Sequence, residues 1–355
     1  MSAKESSAGS SFIPHERTFP KPIEERLGLM RETRSNLEHV FLLHRLPEDS
    51  ICDVATGKLL YSFQDADYGA MKRLLQVSDP AAVKKIAEML RPETLLIADG
   101  HHRYQTSLSY MEWKKRGGPY SPDASFRYRL ATLVSHASPG LLILPTHRVL
   151  RPLPGFSWDA FLARLQSAFL IEEIEFAHRR DMRDLPAWTR GSPACDAAPV
   201  IESLARDRDL PSVGLLSPRG GYLLRLKDAT LLDRFSEHSP EYRRLPVFIL
   251  HRLILEEILG ISADKEAGTG RILYLRSPGE ALALVREGKA QSVFLLPPVT
   301  AETVFRLAER GERMPQKSTD FYPKILSGLV AYSFDEAEAQ GEKERVGREK
   351  AGSRA

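Results

Sequence analysis

The sequence predicts a mixed α/β (α+β) fold in two domains, with mixed sheets and packed helices, on the basis of length, composition and the order of its apolar segments. The 355 residues exceed the roughly 100 to 200 residues of a typical domain. Hydrophobic residues make up 42% and charged residues 27%, close to globular averages of about 45–50% and 25%. Short apolar runs alternate with helical segments, and this alternation indicates a layered globular protein.

The first half of the chain contains two strand candidates and one clear helix start. The runs HVFLLHRL (39–46) and TLLIA (94–98) have the length and apolar character of strands. Ser78, Asp79 and Pro80 place capping residues directly before PAAVKKIAEML. This order predicts a helix that begins at the proline.

The second half shows the same kind of local signals. Ser277 as N-cap, Pro278 at the first helical position and Gly288 as terminator predict a helix in SPGEALALVREG. QSVFLLP follows as a strand, and Thr300 caps a further helix, AETVFRLAER. The stretch SVGLLSPRGGYLLRLKD predicts an antiparallel hairpin. The longest apolar helix candidate, 245–260, is expected to lie in the core.

Domain limits are predicted where the composition changes. Proline and turn residues concentrate in 136–156, so we expect one domain over 12–140 and a second over 141–334. The terminal segments, 1–11 and 335–355, are too polar to bury enough surface to offset chain entropy. Both are therefore expected to be disordered.

Charge and cysteine content exclude several classes of protein. Fifty Lys and Arg face 47 Asp and Glu, and a net charge of +3 is too small for extensive nucleic-acid binding. No apolar run approaches the roughly 18 residues of a membrane span, and the N-terminus lacks the apolar core of a secretory signal. Cys52 and Cys195 form no metal or disulfide pattern, so we expect buried, unreactive thiols in a cytoplasmic protein.

The segment ADGHHRYQTSL (98–108) is the strongest candidate binding site. Asp99 and Gly100 form a turn between a strand and a helix that begins near His101. The N–H groups and the positive dipole end of a helix start favour an anion. The Arg103 guanidinium can bind phosphate or carboxylate in a bidentate manner. The arrangement therefore points to a phosphate-bearing ligand.

Two alternatives for this segment are open at the level of sequence. An ordinary helix start, with Asp99 as N-cap and solvated or hydrogen-bonded histidines, accounts for the pattern about as well. A metal site at His101 and His102 is disfavoured, because adjacent side chains diverge on a helix and no further ligand spacing supports them.

Three further segments carry groups that bind phosphate. In GERMPQKSTDFYPK, Lys317, Ser318 and Thr319 can donate hydrogen bonds to phosphate oxygens, although the glycines of a Walker motif are absent. A surface loop anchored by its aromatic residues is the alternative. LPTHRVL contributes His147 and Arg148, and we expect both to face one cleft together with Lys317 and the 99–103 turn.

The segment PHERTFPKP contributes Glu16 and Arg17. Phosphoryl transfer needs a carboxylate that orients or deprotonates a hydroxyl and shares a divalent ion, and Asp99 and Glu16 are the nearest candidates.

Together, HERTFPKP, ADGHHRYQTSL, LPTHR and MPQKSTDFYPK resemble the bacterial and archaeal family of domain of unknown function 1015. The resemblance spans roughly 12–333 and is specific, because four separated motifs occur in the family's order. The glycine-histidine-histidine-arginine turn is similar to that of the ParB and sulfiredoxin superfamily, which includes free-serine kinases and handles nucleotide phosphates. This similarity implies a ParB/sulfiredoxin-like fold for the first domain and phosphate binding at Gly100, His101, His102 and Arg103.

The resemblance also marks a difference. Family members generally carry a further segment ahead of the HERT-like motif, whereas this chain begins close to that motif. A catalytic group on that segment would be missing here, so we expect the binding site to be preserved better than the activity. Sulfiredoxin chemistry is disfavoured, because neither cysteine lies beside the phosphate motif.

The leading hypothesis is a small-molecule phosphotransferase or phosphohydrolase that binds a nucleotide or a phosphorylated metabolite. Serine or phosphoserine is a candidate substrate by analogy with the serine kinases, and ATP or ADP with Mg²⁺ is the candidate cofactor. The alternative is a non-catalytic, nucleotide-binding regulator related to the ParB-like partition proteins. The predicted catalytic residues are Asp99, His101, His102 and Glu16, and the predicted phosphate-binding or nucleotide-binding residues are Gly100, Arg103, His147, Arg148, Lys317, Ser318, Thr319 and Arg17.

Overall fold

The computed structural model describes residues 11–64, 71–174, 197–206, 210–262 and 270–334. The backbone divides into two compact units. The first contains the chain up to Pro14, Thr18–Leu141 and the chain from Lys324 onward, and the second contains His15–Arg17 and Leu142–Pro323. The sequence-based domain limits, at 140 and 334, stay a prediction. Apart from Ser11, the two predicted disordered tails lie outside the described residues, as does Cys195.

Helices and strands are interspersed along the described chain, so the mixed α/β class is confirmed. The strands are β1 (Phe12–Pro14), β2 (Ser35–Asn36), β3 (Val40–His44), β4 (Lys58–Gln64), β5 (Met71–Gln76), β6 (Leu95–Asp99), β7 (Ala131–Ser135), β8 (Leu142–Leu144), β9 (His147–Leu150), β10 (Phe169–Ile174), β11 (Ser212–Ser217), β12 (Gly220–Leu226), β13 (Ile272–Leu275), β14 (Ser292–Leu295), β15 (Asp320–Tyr322) and β16 (Tyr332–Ser333). The α-helices are α1 (Pro20–Thr33), α2 (Pro80–Leu90), α3 (His101–Arg116), α4 (Trp158–Leu165), α5 (Ala198–Arg206), α6 (Pro240–Arg243), α7 (Pro246–Ile249), α8 (Pro278–Arg286) and α9 (Ala301–Glu309).

The first unit is built on a four-stranded mixed sheet in the order β1-β6-β3-β7. The β1–β6 and β3–β7 pairs are parallel, and the central β3–β6 pair is antiparallel. Consecutive residues of its central strands are apolar and buried, so both faces of these strands are shielded from solvent. One packed cluster joins the sheet to α3 and consists of Phe12, Val40, Leu42, Leu95, Ile97 and Tyr104.

The helix predicted after Ser78 is confirmed as α2. Both Asp79 carboxylate oxygens accept backbone N–H groups, from Ala81 at 3.1 Å and from Ala82 at 3.2 Å. These two bonds satisfy donors that a helix start otherwise leaves open. The neighbouring strands β4 and β5 form a separate two-stranded antiparallel sheet.

The second unit contains a six-stranded antiparallel sheet in the order β10-β12-β11-β14-β9-β13. The predicted hairpin is confirmed as β11–β12, with Ser217 opposite Gly220 at the turn. Both predicted cap signals are also confirmed. The Ser277 hydroxyl accepts the Glu280 N–H at 3.2 Å, and the Thr300 hydroxyl accepts the Thr303 N–H at 3.1 Å.

The predicted 245–260 helix is buried as expected, but its backbone differs from a single α-helix. It begins as α7 and continues as a π-helix over Leu250–Ile258. At its end, the Leu259 N–H donates to the Ile254 carbonyl, five residues earlier, at 3.0 Å. π-Helices are rare, and apolar periodicity does not distinguish them from α-helices because both present one face to the core.

The prediction of a buried Cys52 is wrong. This thiol is exposed, in a turn that follows β3. None of the helices in the described ranges is both long and apolar enough to cross a bilayer.

Candidate functional site

The turn between β6 and α3 has a backbone geometry that requires glycine. Gly100 is the N-cap of α3 and has a φ of 94°, in the left-handed region. A Cβ atom at this position would lie 3.1 Å from Arg103 Nε and 3.3 Å from Val40 Cα. The side chain of Asp99 accepts the N–H of Gly100 at 2.7 Å instead of capping the helix. Asp99 therefore shapes the turn, and the alternative in which Asp99 is the N-cap is wrong.

Charged groups of the first unit surround this turn. The Arg103 guanidinium lies 3.4 Å from the Asp99 carboxylate and 3.6 Å from that of Glu38, and it donates to the carbonyl of His39. Lys324 Nζ lies 3.7 Å from the same Asp99 oxygen that faces Arg103. A carboxylate between two cations thus stands at the positive end of a 16-residue helix.

The two histidines of the turn occupy different environments. The His101 side chain is buried, whereas His102 is half-buried. Nε2 of His102 accepts the Phe19 N–H at 3.1 Å, and the two rings stack at 6.3 Å between centroids. An accepting Nε2 assigns the proton of the neutral ring to Nδ1. In this arrangement His102 fixes the start of α1 to the start of α3.

The HERT-like segment and the MPQKST loop meet within the second unit. The Met314 N–H donates to the His15 carbonyl at 2.7 Å, and Glu16 pairs with Met314 in an isolated parallel bridge. His15 Nε2 lies 2.7 Å from the Thr319 hydroxyl, which donates to Glu16 at 3.4 Å. Because the Thr319 hydroxyl donates its proton to Glu16, it accepts from His15, whose Nε2 therefore carries the ring proton. A hydrogen-bonded chain thus runs from the imidazole through the hydroxyl to the carboxylate.

The other residues of these two motifs have individual surroundings. Lys317 is exposed and has a φ of 61°, which a non-glycine residue rarely adopts. The buried Ser318 hydroxyl donates to the Pro315 carbonyl. Arg17 is exposed.

Arg148 and His147 lie in the interior of the second unit. The Arg148 side chain is 1% exposed and donates to the carbonyls of Thr146 and Gln316. Burial lowers its pKa to about 10. His147 accepts the Leu296 N–H through Nδ1, and burial followed by the Arg148 charge lowers its pKa to about 3. The His147 ring is therefore uncharged at neutral pH, and burial does not support the predicted charge-based role in phosphate binding.

The predicted residues thus fall into two sets. Asp99, Gly100, His101, His102 and Arg103 are brought together in the first unit, and the remaining ones belong to the second. The predicted common cleft stays a prediction.

Sequence reasoning missed Glu38 and Arg129 of the first unit. Arg129 Nη2 donates to the Glu38 carbonyl at 2.7 Å and Nη1 donates to the Asn36 side chain. The only sequence signal is a charged residue beside a strand, which is too common to select them.

No group of three or more His, Cys, Asp or Glu side chains among the described residues has a metal-binding arrangement. A nucleotide-bound Mg²⁺ requires only one or two carboxylates from the protein, with phosphates and water completing its shell. Asp99 does not fit that requirement, because Arg103 and Lys324 lie beside one of its oxygens and the other accepts the Gly100 N–H.

Solved structures that match this chain have low sequence identity to it and TM-scores below 0.5. A free serine kinase in complex with AMP is 14% identical, with a TM-score of 0.45 over 92% of this chain and 90% of that chain. A conserved hypothetical protein from Pyrococcus furiosus is 13% identical, with a TM-score of 0.41 over 92% and 93%. SbnI from Staphylococcus aureus, with a C-terminal truncation, is 11% identical, with a TM-score of 0.39 over 91% and 82%. A search of curated proteins found no match.

The family comparison agrees with the motifs. The family described as protein of unknown function (DUF1015) matches residues 1–248. This range contains the first three motifs and ends before MPQKST. Because the match covers well over half of the 355 residues, the predicted membership is confirmed: the chain belongs to the DUF1015 family.

Proposed function

We propose that this protein binds the phosphate of a nucleotide or a phosphorylated small molecule at the start of α3 and transfers or hydrolyses that phosphoryl group. One observation carries the proposal: Arg103 and Lys324 both lie within 3.7 Å of one Asp99 oxygen, beside the positive end of α3. Helix starts and guanidinium groups are both well suited to bind phosphate.

The internal partners of Arg103 are compatible with this role. Its contacts with Asp99 and Glu38, at 3.4 and 3.6 Å, are longer than the roughly 2.7–2.9 Å of a strong charge-assisted hydrogen bond. Nε and Nη2 can therefore bind a phosphate without losing a tight pair, while the hydrogen bond from Nη1 to the His39 carbonyl keeps the guanidinium in its orientation. Asp99 is close enough to Arg103 and Lys324 to orient a hydroxyl or an incoming water while both cations balance its charge.

Mg²⁺ with ATP or ADP would supply charge neutralisation across the phosphates. Asp99, beside Arg103 and Lys324, is proposed to orient the reacting hydroxyl or water and not to hold the metal ion, and His102 holds the helix start in position. In the second unit, Glu16, which accepts a hydrogen bond from the Thr319 hydroxyl, is the other proposed carboxylate. Lys317 is the proposed phosphate-binding cation of that unit. A phosphate ligand there would use the exposed Lys317 rather than the buried His147.

The full chain mixed with ATP or ADP, Mg²⁺ and an amino-acid panel that includes serine should produce a new phosphomonoester signal in phosphorus NMR. Arg103→Gln should lower kcat/KM by about tenfold to a thousandfold, as expected for removal of one charge-stabilising donor. Arg91→Gln is the matched control, because Arg91 is an exposed arginine at the end of α2.

Nucleotide binding without turnover would favour the regulatory alternative. Absence of both binding, by calorimetry, and turnover would contradict the proposal as a whole.

A further inference from the structure

A small pocket in the first unit is lined by more positive than negative charge. The side chains of Arg26, Arg103 and Arg129 contribute to its lining together with Glu38, and the apolar side chains of Leu29, Met30 and Leu37 form much of the remainder. Arg26 is exposed at the mouth, whereas Met30 and Thr106 are buried. All of these side chains belong to the first unit.

The charges next to the pocket do not balance. Arg26, Arg103, Arg129 and Lys324 are four positive groups, and Glu38 and Asp99 are two negative groups, which leaves two positive charges. Burial, and then the Arg103 charge, lower the pKa of Arg129 to about 10 even though Glu38 acts in the opposite direction. The same surplus acts on His39, whose pKa is lowered by burial and by the charges of Arg103 and Arg129, against a backbone hydrogen bond of Val330 that raises it.

Two of the guanidinium groups are held in fixed orientations. Arg129 donates to the Asn36 side chain and to the Glu38 carbonyl, and its buried Nε has no hydrogen-bond partner in the described structure. Arg103 donates to the carbonyl of His39. Groups that are ordered before binding lose little conformational entropy when a ligand arrives.

The size of the pocket limits what can enter. Its volume is about 60 Å³, and one water molecule occupies roughly 10–15 Å³ of such space. About four to six heavy atoms therefore fit. A phosphate group has five heavy atoms and a double negative charge, which matches both the volume and the surplus charge. The remainder of a phosphorylated ligand would therefore lie outside the pocket.

We infer that the pocket formed by Arg26, Arg103, Arg129 and Glu38 binds the phosphate group of a small phosphomonoester. This inference deepens and rests on the proposed function, because Arg103 lines the pocket and belongs to the first turn of α3. It assigns Arg129 and Arg26, which no motif marks, as residues whose positive charges attract a dianionic phosphate more strongly than a singly charged carboxylate.

The test uses the full chain with inorganic phosphate as the probe, and acetate as the carboxylate comparison. Calorimetry should show phosphate binding that Arg129→Gln and Arg26→Gln each weaken by about tenfold or more, since a hydrogen bond to a charged group contributes about 1.5–3 kcal/mol. Arg129→Lys should restore only part of the affinity, because the ammonium keeps the charge but lacks the fork. Arg91→Gln should bind phosphate like the unmodified chain.

His39 provides a second readout that a merely structural arginine would not give. Bound phosphate should raise the pKa of the His39 ring, followed by NMR, because a negative charge then offsets Arg103 and Arg129. If Arg129→Gln unfolds the protein, Arg26→Gln tests the same pocket from its exposed edge. Phosphate affinity and a His39 shift that are unchanged in both variants, or acetate binding as tight as phosphate, would overturn the inference.

The two proposals can fail separately. Phosphate binding in the pocket without any phosphoryl transfer contradicts the proposed catalysis and leaves the pocket assignment intact. Phosphoryl transfer that is insensitive to Arg26→Gln and Arg129→Gln contradicts the pocket assignment and leaves the proposed function intact.

Discussion

Gly100→Ala is expected to lower the free energy of unfolding by about 2–3 kcal/mol and to weaken phosphate binding by at least about tenfold. Alanine would have to adopt a left-handed φ of 94°, and its methyl group would lie 3.1 Å from Arg103 Nε. Relief of this contact moves Arg103 away from Asp99 and Glu38, so stability and binding should fall together. Urea denaturation and calorimetric titration with phosphate measure the two effects.

Gly28→Ala is the matched control for this change. Gly28 lies within α1 of the same unit, and an added Cβ would meet no atom within 4 Å. The same substitution should there raise stability by about 0.5–1 kcal/mol and leave phosphate binding unchanged, because alanine is the better helix former. Equal effects at both positions would show that the left-handed turn has no special role.

The stability of the protein should fall steeply as the pH decreases below about 6.5. Burial, and then the Arg148 charge, lower the pKa of both His147 and His251 to about 3. In the unfolded chain these rings have ordinary pKa values near 6.5. Between pH 3 and 6.5 the unfolded state therefore binds more protons, and acid favours unfolding. The two rings together should remove about 4 kcal/mol between pH 7 and pH 5.

His251→Phe separates this effect from general acid sensitivity. The substitution keeps a buried ring in the π-helix and removes one titrating group, so the slope of unfolding free energy against pH should decrease by about 1.4 kcal/mol per pH unit below pH 6. Leu253→Ala, at a buried position in the same helix, should lower stability at every pH without changing the slope. A slope that His251→Phe leaves unchanged would contradict a neutral buried imidazole.

Local elements with complete cap signals could be predicted from the sequence. The side chains of Ser277 and Thr300 each accept the backbone N–H three residues later, and the Asp79 carboxylate accepts two backbone N–H groups. These bonds could be predicted because they depend only on residues within one turn of a helix. The π-helix over Leu250–Ile258 could not be predicted. Its i to i+5 bonding leaves the apolar stripe of the sequence nearly unchanged.

For the candidate site as well, the local geometry could be predicted from the sequence and the long-range contacts could not. The strand-turn-helix at 95–103, with Gly100 in the turn, follows from the sequence motif, and the left-handed φ that requires glycine there comes from the structure. Arg129 reaches the site because β3 pairs in parallel with β7, which sets Val40 opposite Ala131. The Cys52 prediction failed because its exposure depends on which loop is covered, and composition cannot show that.

The order of amino acids was sufficient to establish the mixed α/β class, the capped helices, the hairpin and the family. The folded chain was needed to show that Arg103 shares its surroundings with Glu38, Arg129 and Lys324, and that His147 is buried and neutral. The difference lies in the range of the interactions. Caps and turns are fixed by neighbours within a few residues, whereas the charge balance of a pocket and the desolvation of a ring depend on segments that are distant in sequence and adjacent only after folding.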